Sequence, residues 1–267
     1  MSSTITSIAT PTIESTTQPL VNLPSTGTVF SRLLRSDLKV QWRNRRATIM
    51  VILIPSIILF SWKGLIKQFG GAFALSNCIA IGLNAIGLMG YTNAIARDRD
   101  KGIFQRLRLT PAPRWTIITS RLTVQLVMIT LMTLILFIIG YQVDKITLTP
   151  TGYIFGLLTA IIGGAVYLSL GQMIVGLIKN VETVNVTTRL IFFLFIMIGQ
   201  FASFGAFGDY WGNIANWSPY GATKTIIAAA LTPGGWNNNT SISLLVSLGY
   251  TLVFTVLGIR YFRWSTK

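Results

Sequence analysis

Six apolar runs dominate this chain, near residues 47–66, 72–95, 122–142, 152–178, 190–207 and 242–260. Each approaches or exceeds the roughly 20 residues that a helix needs to cross a hydrocarbon core. The runs are unbroken rather than alternating with polar positions, the pattern of helices bathed in lipid and not of elements around a soluble core. Charged residues make up only 11% of the chain, against about 25% in soluble domains, too few for a surface facing water. The expectation is an all-α integral membrane protein with six transmembrane helices. Pro55 predicts a kink in the first, which neighbouring helices in a bundle can tolerate.

The formal net charge of +15 excludes little until its placement is read. Nucleic-acid binders gather Lys and Arg on one folded polar face. Here eighteen basic residues fall in alternate loops and at the ends, from Arg32 to Arg46, Arg97 to Arg121, Lys179 with Arg189, and Arg260 to Lys267. The opposite loops hold four, Lys63, Lys67, Lys145 and Lys224. The positive-inside rule then places both termini in the cytoplasm of a multi-pass plasma (cell inner) membrane protein, with no nucleic acid as partner.

The chain has no histidine and one cysteine, Cys78, inside an apolar run. An intrachain disulfide framework is excluded, and most zinc, haem and imidazole-base chemistry goes with the histidines. No metal site or catalytic constellation is visible, so the chain is not expected to be an enzyme. The spans also contain no residue that must be charged at mid-depth, as proton- or ion-coupled carriers usually do. Their polar residues, Asn77, Asn84, Asn93, Gln125, Gln172 and Gln200, are expected to hydrogen-bond between helices.

Residues 1–28 are rich in Ser, Thr and Pro and read as a disordered tail, without the basic start and apolar core of a signal peptide. Residues 29–267 form the membrane domain. It opens on VFSRLLRSDLKVQWRNRR, where Phe30, Leu33, Leu34, Leu38 and Trp42 recur at helical spacing. A basic amphipathic helix directly before a span tends to lie in the head-group plane.

The densest charge lies between the second and third spans, in RDRDKGIFQRLRLTPAPRW, residues 97–115. From Asp98 to Leu109 the pattern is helical, with Ile103, Phe104 and Leu107 on one face. Thr110-Pro111 ends it, because the residue before proline is pushed out of the α region. Pro113 suits the first turn of a new helix.

That sequence resembles the membrane subunits of ATP-binding-cassette (ABC) transporters of the type 2 exporter-permease class. Their loop carries acidic residues, a Lys-Gly or similar pair, a short helix and Thr-Pro, here Asp98, Asp100, Lys101-Gly102, Ile103 to Leu109 and Thr110-Pro111. A second likeness lies in FGDYWGNIANWSPYGATKTIIAAAL, residues 207–231, where Ser218-Pro219-Tyr220 and Ile226 to Leu231 match.

The resemblance implies a coupling helix, with Asp98, Asp100, Lys101, Gly102, Phe104, Arg106, Leu107, Thr110 and Pro111 at the contact with an ATPase. Phe104 and Leu107 are expected to insert into the ATPase cleft, with the arginines around its rim. It also implies two ABC ATPase subunits and a homodimer, or a heterodimer with a related permease. No cofactor is expected on this chain, with ATP and Mg on the partner. The sequence has no G-x-x-x-x-G-K-[ST], hence no P-loop of its own. Glu182 is open to two readings, pairing with Arg189 or Lys179, or a second ATPase contact. Trp217, Pro219 and Tyr220 are expected in a re-entrant helix pair capping the exit, since the apolar stretch after them is too short to span. The implied function is export of an amphipathic drug-like, lipid or lipid-linked molecule; the alternative is a secondary carrier or channel not coupled to ATP.

Overall fold

The computed structural model describes residues 25–43, 45–108, 114–205 and 208–261, and every regular element among them is helical. In chain order these are α1 (Thr26–Arg43), α2 (Arg45–Ser61), α3 (Lys63–Phe69), α4 (Gly71–Asn84), a π-helical segment (Ala85–Thr92), α5 (Asn93–Asp100) and α6 (Ile103–Arg108). There follow α7 (Arg114–Gln142), α8 (Pro150–Leu177), α9 (Val181–Ser203), α10 (Gly208–Trp217), α11 (Pro219–Leu231) and α12 (Asn238–Tyr261). Most of the expected tail lies outside the described residues, and α1 begins at Thr26, inside its expected limit.

Five helical stretches are long and apolar enough to cross a membrane, Gly71–Asp100, Thr116–Gln142, Pro150–Leu177, Val181–Ala202 and Asn238–Tyr261. The sixth span is a bent pair, Ile49–Ser61 with Lys63–Phe69, turning by 64°. The sharp bend is at Trp62, and α2 stays helical through Pro55. The Pro55 ring is buried against Gly82, so packing holds α2 helical through the missing hydrogen bond. The chain turns where Lys63 and Lys67 make α3 too polar to continue through the core.

Span lengths also differ from expectation. The second helix runs without a break through the π segment to Asp100, and α9 begins at Val181, taking in Glu182 and Arg189. Hydropathy marks the apolar middle of a span, whereas the hydrogen-bonded helix continues into the interface until a cap stops it. For α9 that cap is Asn180, whose Oδ1 accepts from the Glu182 and Thr183 amides at 2.8 and 3.2 Å.

The packing centre is α8, which meets α12, α11, the π segment and α7. At its closest approach to the second span, a Cβ on Gly87 would stand 2.7 Å from the Tyr167 carbonyl carbon. Only a missing side chain allows backbones so near. Five of the six polar residues noted in the spans bridge helices: Asn84 Nδ2 donates to the Phe192 carbonyl (3.2 Å), Tyr91 OH to Gln172 Oε1 (2.8 Å), Thr188 Oγ1 to Asn93 Oδ1 (3.4 Å), and Gln200 Nε2 to Asn77 Oδ1 (3.5 Å). The periphery is apolar and exposed, as at Leu190, Phe193 and Leu194 on α9 and Leu245 and Leu252 on α12. Such faces suit lipid, where they carry no hydration penalty.

Candidate functional site

The basic end of the bundle is built around a corner at Lys101-Gly102. The Lys101 amide donates to the Arg97 carbonyl (3.0 Å) and the Gly102 amide to the Arg99 carbonyl (3.1 Å), closing α5. Gly102 adopts φ +68°, the left-handed conformation that glycine reaches without steric cost and that ends many helices. The Arg106 amide then donates to the Gly102 carbonyl at 3.2 Å, and the chain leaves along α6.

The expected loop helix from Asp98 is therefore two pieces. Asp98 and Asp100 belong to the last turn of the second span, and only Ile103–Arg108 is a separate helix. The reason is local: Gly102 breaks the helical backbone that the apolar spacing of Ile103 and Phe104 suggested was continuous.

The site residues divide sharply by exposure. Asp100, Lys101 and Arg106 are exposed, as are Arg97 and Gln105. Phe104 is only 1% exposed and belongs to the main hydrophobic core of this chain. The Arg121 guanidinium lies 5.2 Å from the centre of its ring, a cation–π contact. Phe104 is thus no free anchor for a partner's cleft, because its ring is already packed within its own bundle. The Leu107 side chain, Thr110 and Pro111 lie outside the described residues.

Arg121 also forms an ion pair with Asp98, joining the end of the second span to the third. Beside this pair a cleft of about 400 Å³ opens between α1, α5 and α7, with Asp37 and Gln41 on one wall and Arg97, Asp98 and Lys101 on the other. The Asp37 carboxylate accepts from Ser120 Oγ at 2.5 Å, pinning α1 to α7. Leu33 and Leu34 turn inward while Trp42 stays exposed.

Arg99 is the residue that sequence reasoning missed. Counted among the basic loop residues, it is instead 2% exposed. Its guanidinium donates to the carbonyls of Val175 (2.5 Å), Ile178 (2.7 Å) and Lys179 (2.9 Å). These are carbonyls at the C-terminus of α8, where the helix has no internal donors left and its dipole favours a cation. No local signal separates Arg99 from Arg97 or Arg106, because its partners lie 76 to 80 residues away.

Glu182 is exposed in the first turn of α9, near the segment that Arg99 holds. Among the described residues it makes no ion pair with Arg189 or Lys179. Its pairing reading is therefore set aside, and its charge complements the helix N-terminus.

At the far end, Ser218 caps α11 by accepting from the Gly221 amide at 3.1 Å, and Pro219 takes the first helical position, where its missing N–H costs nothing. The chain turns here between α10 and α11, giving the expected pair of short helices. Tyr220 is fully buried and its hydroxyl accepts from Gln200 Nε2 at 3.2 Å. The Trp217 carbonyl accepts from Tyr250 OH at 3.0 Å. At 13 residues, α11 is about 20 Å long, short of a bilayer core.

Also at the far end, both carboxylate oxygens of Asp144 are buried without a hydrogen-bond partner among the described residues. Burial raises its pKa, and nearby Lys63 opposes the rise.

Comparison with known proteins adds two findings. The profile of the family described as "ABC-2 type transporter" matches residues 28–231. The chain is also 25% identical over 173 residues to the "Putative transport permease YvfS" of Bacillus subtilis (strain 168), covering 63% of this chain and 67% of that protein. The matched residues run from α1 to the end of α11 and so include both the basic corner and the short helix pair.

Proposed function

Because this chain belongs to the ABC-2 type transporter family, matched from residue 28 to residue 231, we propose that it moves its substrate in response to ATP hydrolysed on a separate subunit seated at the Lys101-Gly102 corner. The chain is a multi-pass membrane permease, and association with an ABC ATPase follows from the family. The finer reading is export from the cytoplasm across the plasma membrane, with both termini cytoplasmic, by two permease copies or one copy and a related permease, and two ATPases. Amphipathic drug-like, lipid or lipid-linked molecules are the class suited to spans without mid-depth charge.

One observation carries the coupling reading: an exposed charged rim stands on a rigidly connected corner. Arg97, Asp100, Lys101 and Arg106 face outward. Directly behind them Arg99 holds the end of α8, and Asp98 with Arg121 holds the start of α7. A push on the rim is therefore delivered to two spans at once, through the buried Arg99 contacts and the half-buried Asp98–Arg121 pair. Those contacts resist displacement, since a separated buried charge loses its partner without regaining water. Docking through rim charges is expected to be salt-dependent, because exposed pairs are screened. Glu182 lies within the same end of the molecule and is proposed as a secondary contact. At the other end, Trp217, Pro219 and Tyr220 belong to the short helix pair proposed to cap the exit.

Copurification of the cognate ATPase tests this reading. Reversing the rim charges, as in Lys101→Glu with Arg106→Glu, should release the ATPase at moderate salt while the permease remains folded in the membrane. Full retention of the ATPase by that variant would sink the proposed docking site.

A further inference from the structure

A groove of about 410 Å³ lies between α7, α8 and α12. Its size falls within the range of small-molecule sites. Leu122, Leu126 and Ala165 line it along with Tyr91, Gln172 and Thr251. From Thr251 to Ile259 it extends about 12 Å along α12, at 1.5 Å per residue. That is less than half of the roughly 30 Å hydrocarbon core. Gln172 lies five residues before the end of α8, about 8 Å inside the helix terminus. The groove thus occupies the basic half of the bundle, the inner leaflet on the orientation argued above, on which that assignment rests.

Several hydroxyls line this largely apolar groove, and Gln172 adds an amide. Gln172 is 8% exposed and held between helices, with its Cγ 3.0 Å from where a Cβ on Gly258 would stand. Its Oε1 accepts from Tyr91 OH, but its Nε2 has no acceptor among the described residues. The neighbouring hydroxyls of Ser169 and Thr251 return their protons to carbonyls of their own helices, Val166 and Ser247, at 2.8 and 2.9 Å. Two amide hydrogens therefore remain open at a depth where water is scarce and an unmatched polar group is costly.

We infer that this groove binds a membrane amphiphile, with its alkyl chain along Ala165, Leu122 and Leu126 and a head-proximal carbonyl or ether oxygen accepting from Gln172 Nε2. The placement matches the molecule. An oxygen at the boundary of head group and chain lies shallow, level with Gln172, and the chain continues toward the bilayer centre, where the groove is apolar. A purely apolar groove would suit any lipid tail; the open amide selects for an acceptor at one depth.

The test uses the complex in phosphatidylcholine nanodiscs and a lysophosphatidylcholine carrying a diazirine near the end of its acyl chain. Photolabelling should saturate, map to peptides containing residues 118–126, 165–172 and 251–259, and be competed by unlabelled lysophosphatidylcholine. Ala165→Phe, which fills the groove and leaves Gln172 and Tyr91 untouched, should reduce labelling there to background. Gln172→Leu should weaken competition roughly three- to ten-fold, the size of one hydrogen bond inside a membrane. Unsaturable labelling spread evenly over the exposed faces of α9 and α12 would mean annular lipid only and would overturn the site, as would labelling unchanged in Ala165→Phe. ATPase retention, measured on the same samples, reports on the docking proposal alone, so failure of one is distinguishable from failure of the other.

Discussion

The guanidinium of Arg99 donates to the main-chain carbonyl of Val175 across 2.5 Å, and two further donations to Ile178 and Lys179 complete its coordination of the α8 terminus. A charged loop residue thereby becomes an internal brace between the second and fourth spans. Charge-assisted hydrogen bonds of this kind are roughly twice as strong as neutral ones, and here they satisfy carbonyls that the end of a helix leaves open.

Removing that brace should be costly even with bulk preserved. Arg99→Met is expected to destabilise the protein by about 3 kcal/mol or more, the range for breaking a buried charge-assisted network. Arg99→Lys should recover only part, since one ammonium cannot reproduce the planar fork. Thermal unfolding in detergent checks the ranking, and amide exchange should rise first in residues 176–180. Equal stability of wild type and Arg99→Met would refute the brace.

Phe104 and Arg106 separate folding from docking. Phe104→Ala should cost about 3–5 kcal/mol, the usual range for deleting a buried aromatic ring, and reduce the yield of folded permease before any effect on a partner is seen. Arg106→Ala should leave stability within about 0.5 kcal/mol while weakening ATPase copurification more at low salt than at high, where the rim charge is already screened. Unfolding midpoints and copurification at two salt concentrations, measured side by side, decide the matter. A stable Phe104→Ala that merely loses the ATPase would restore Phe104 as a partner anchor.

Asp144 supplies a pH dependence whose sign is unusual for a carboxylate. Burial raises its folded pKa above the ordinary value, with Lys63 only partly opposing it. The folded state therefore binds the proton more tightly than the unfolded state. Stability from this group is present at low pH and is lost as pH rises from the ordinary carboxylate range through the raised folded value. Asp144→Asn should accordingly be more stable than wild type at neutral pH, with the gain shrinking as pH falls toward about 4. Unfolding midpoints of both proteins from pH 4 to 8 test it. A gain that grows on acidification would reverse the assignment.

Orientation is open to direct labelling. Cys78 is fully buried, so the natural protein gives a quiet background for thiol reagents. A cysteine at Asn238, which starts α12 on the end opposite the basic corner, should react with an impermeant maleimide in intact cells. One at Arg106 should react only after the membrane is opened. The reverse pattern would place the basic corner outside and remove the proposed ATPase contact.

Much of this architecture is written in local sequence. Six apolar runs of spanning length, the asymmetry of Lys and Arg between loops and the Ser218-Pro219 helix start each depend on a few adjacent residues. Hydropathy, loop charge and backbone conformational freedom act over such short stretches, so they can be read without knowing what lies opposite. Tertiary structure decided which side of each stretch is used. Arg99 and Arg106 look alike along the chain, yet one is buried against α8 and the other faces outward. Phe104 looks like a partner anchor until α7 brings Arg121 over its ring. Pro55 packs against Gly82 within a helix that continues past it, and the sharp bend falls at Trp62. Burial, and the pairing of polar groups with it, depends on atoms contributed by residues far away in sequence. Only when the spans are packed together is it determined which charge braces the bundle and which remains free to meet a partner.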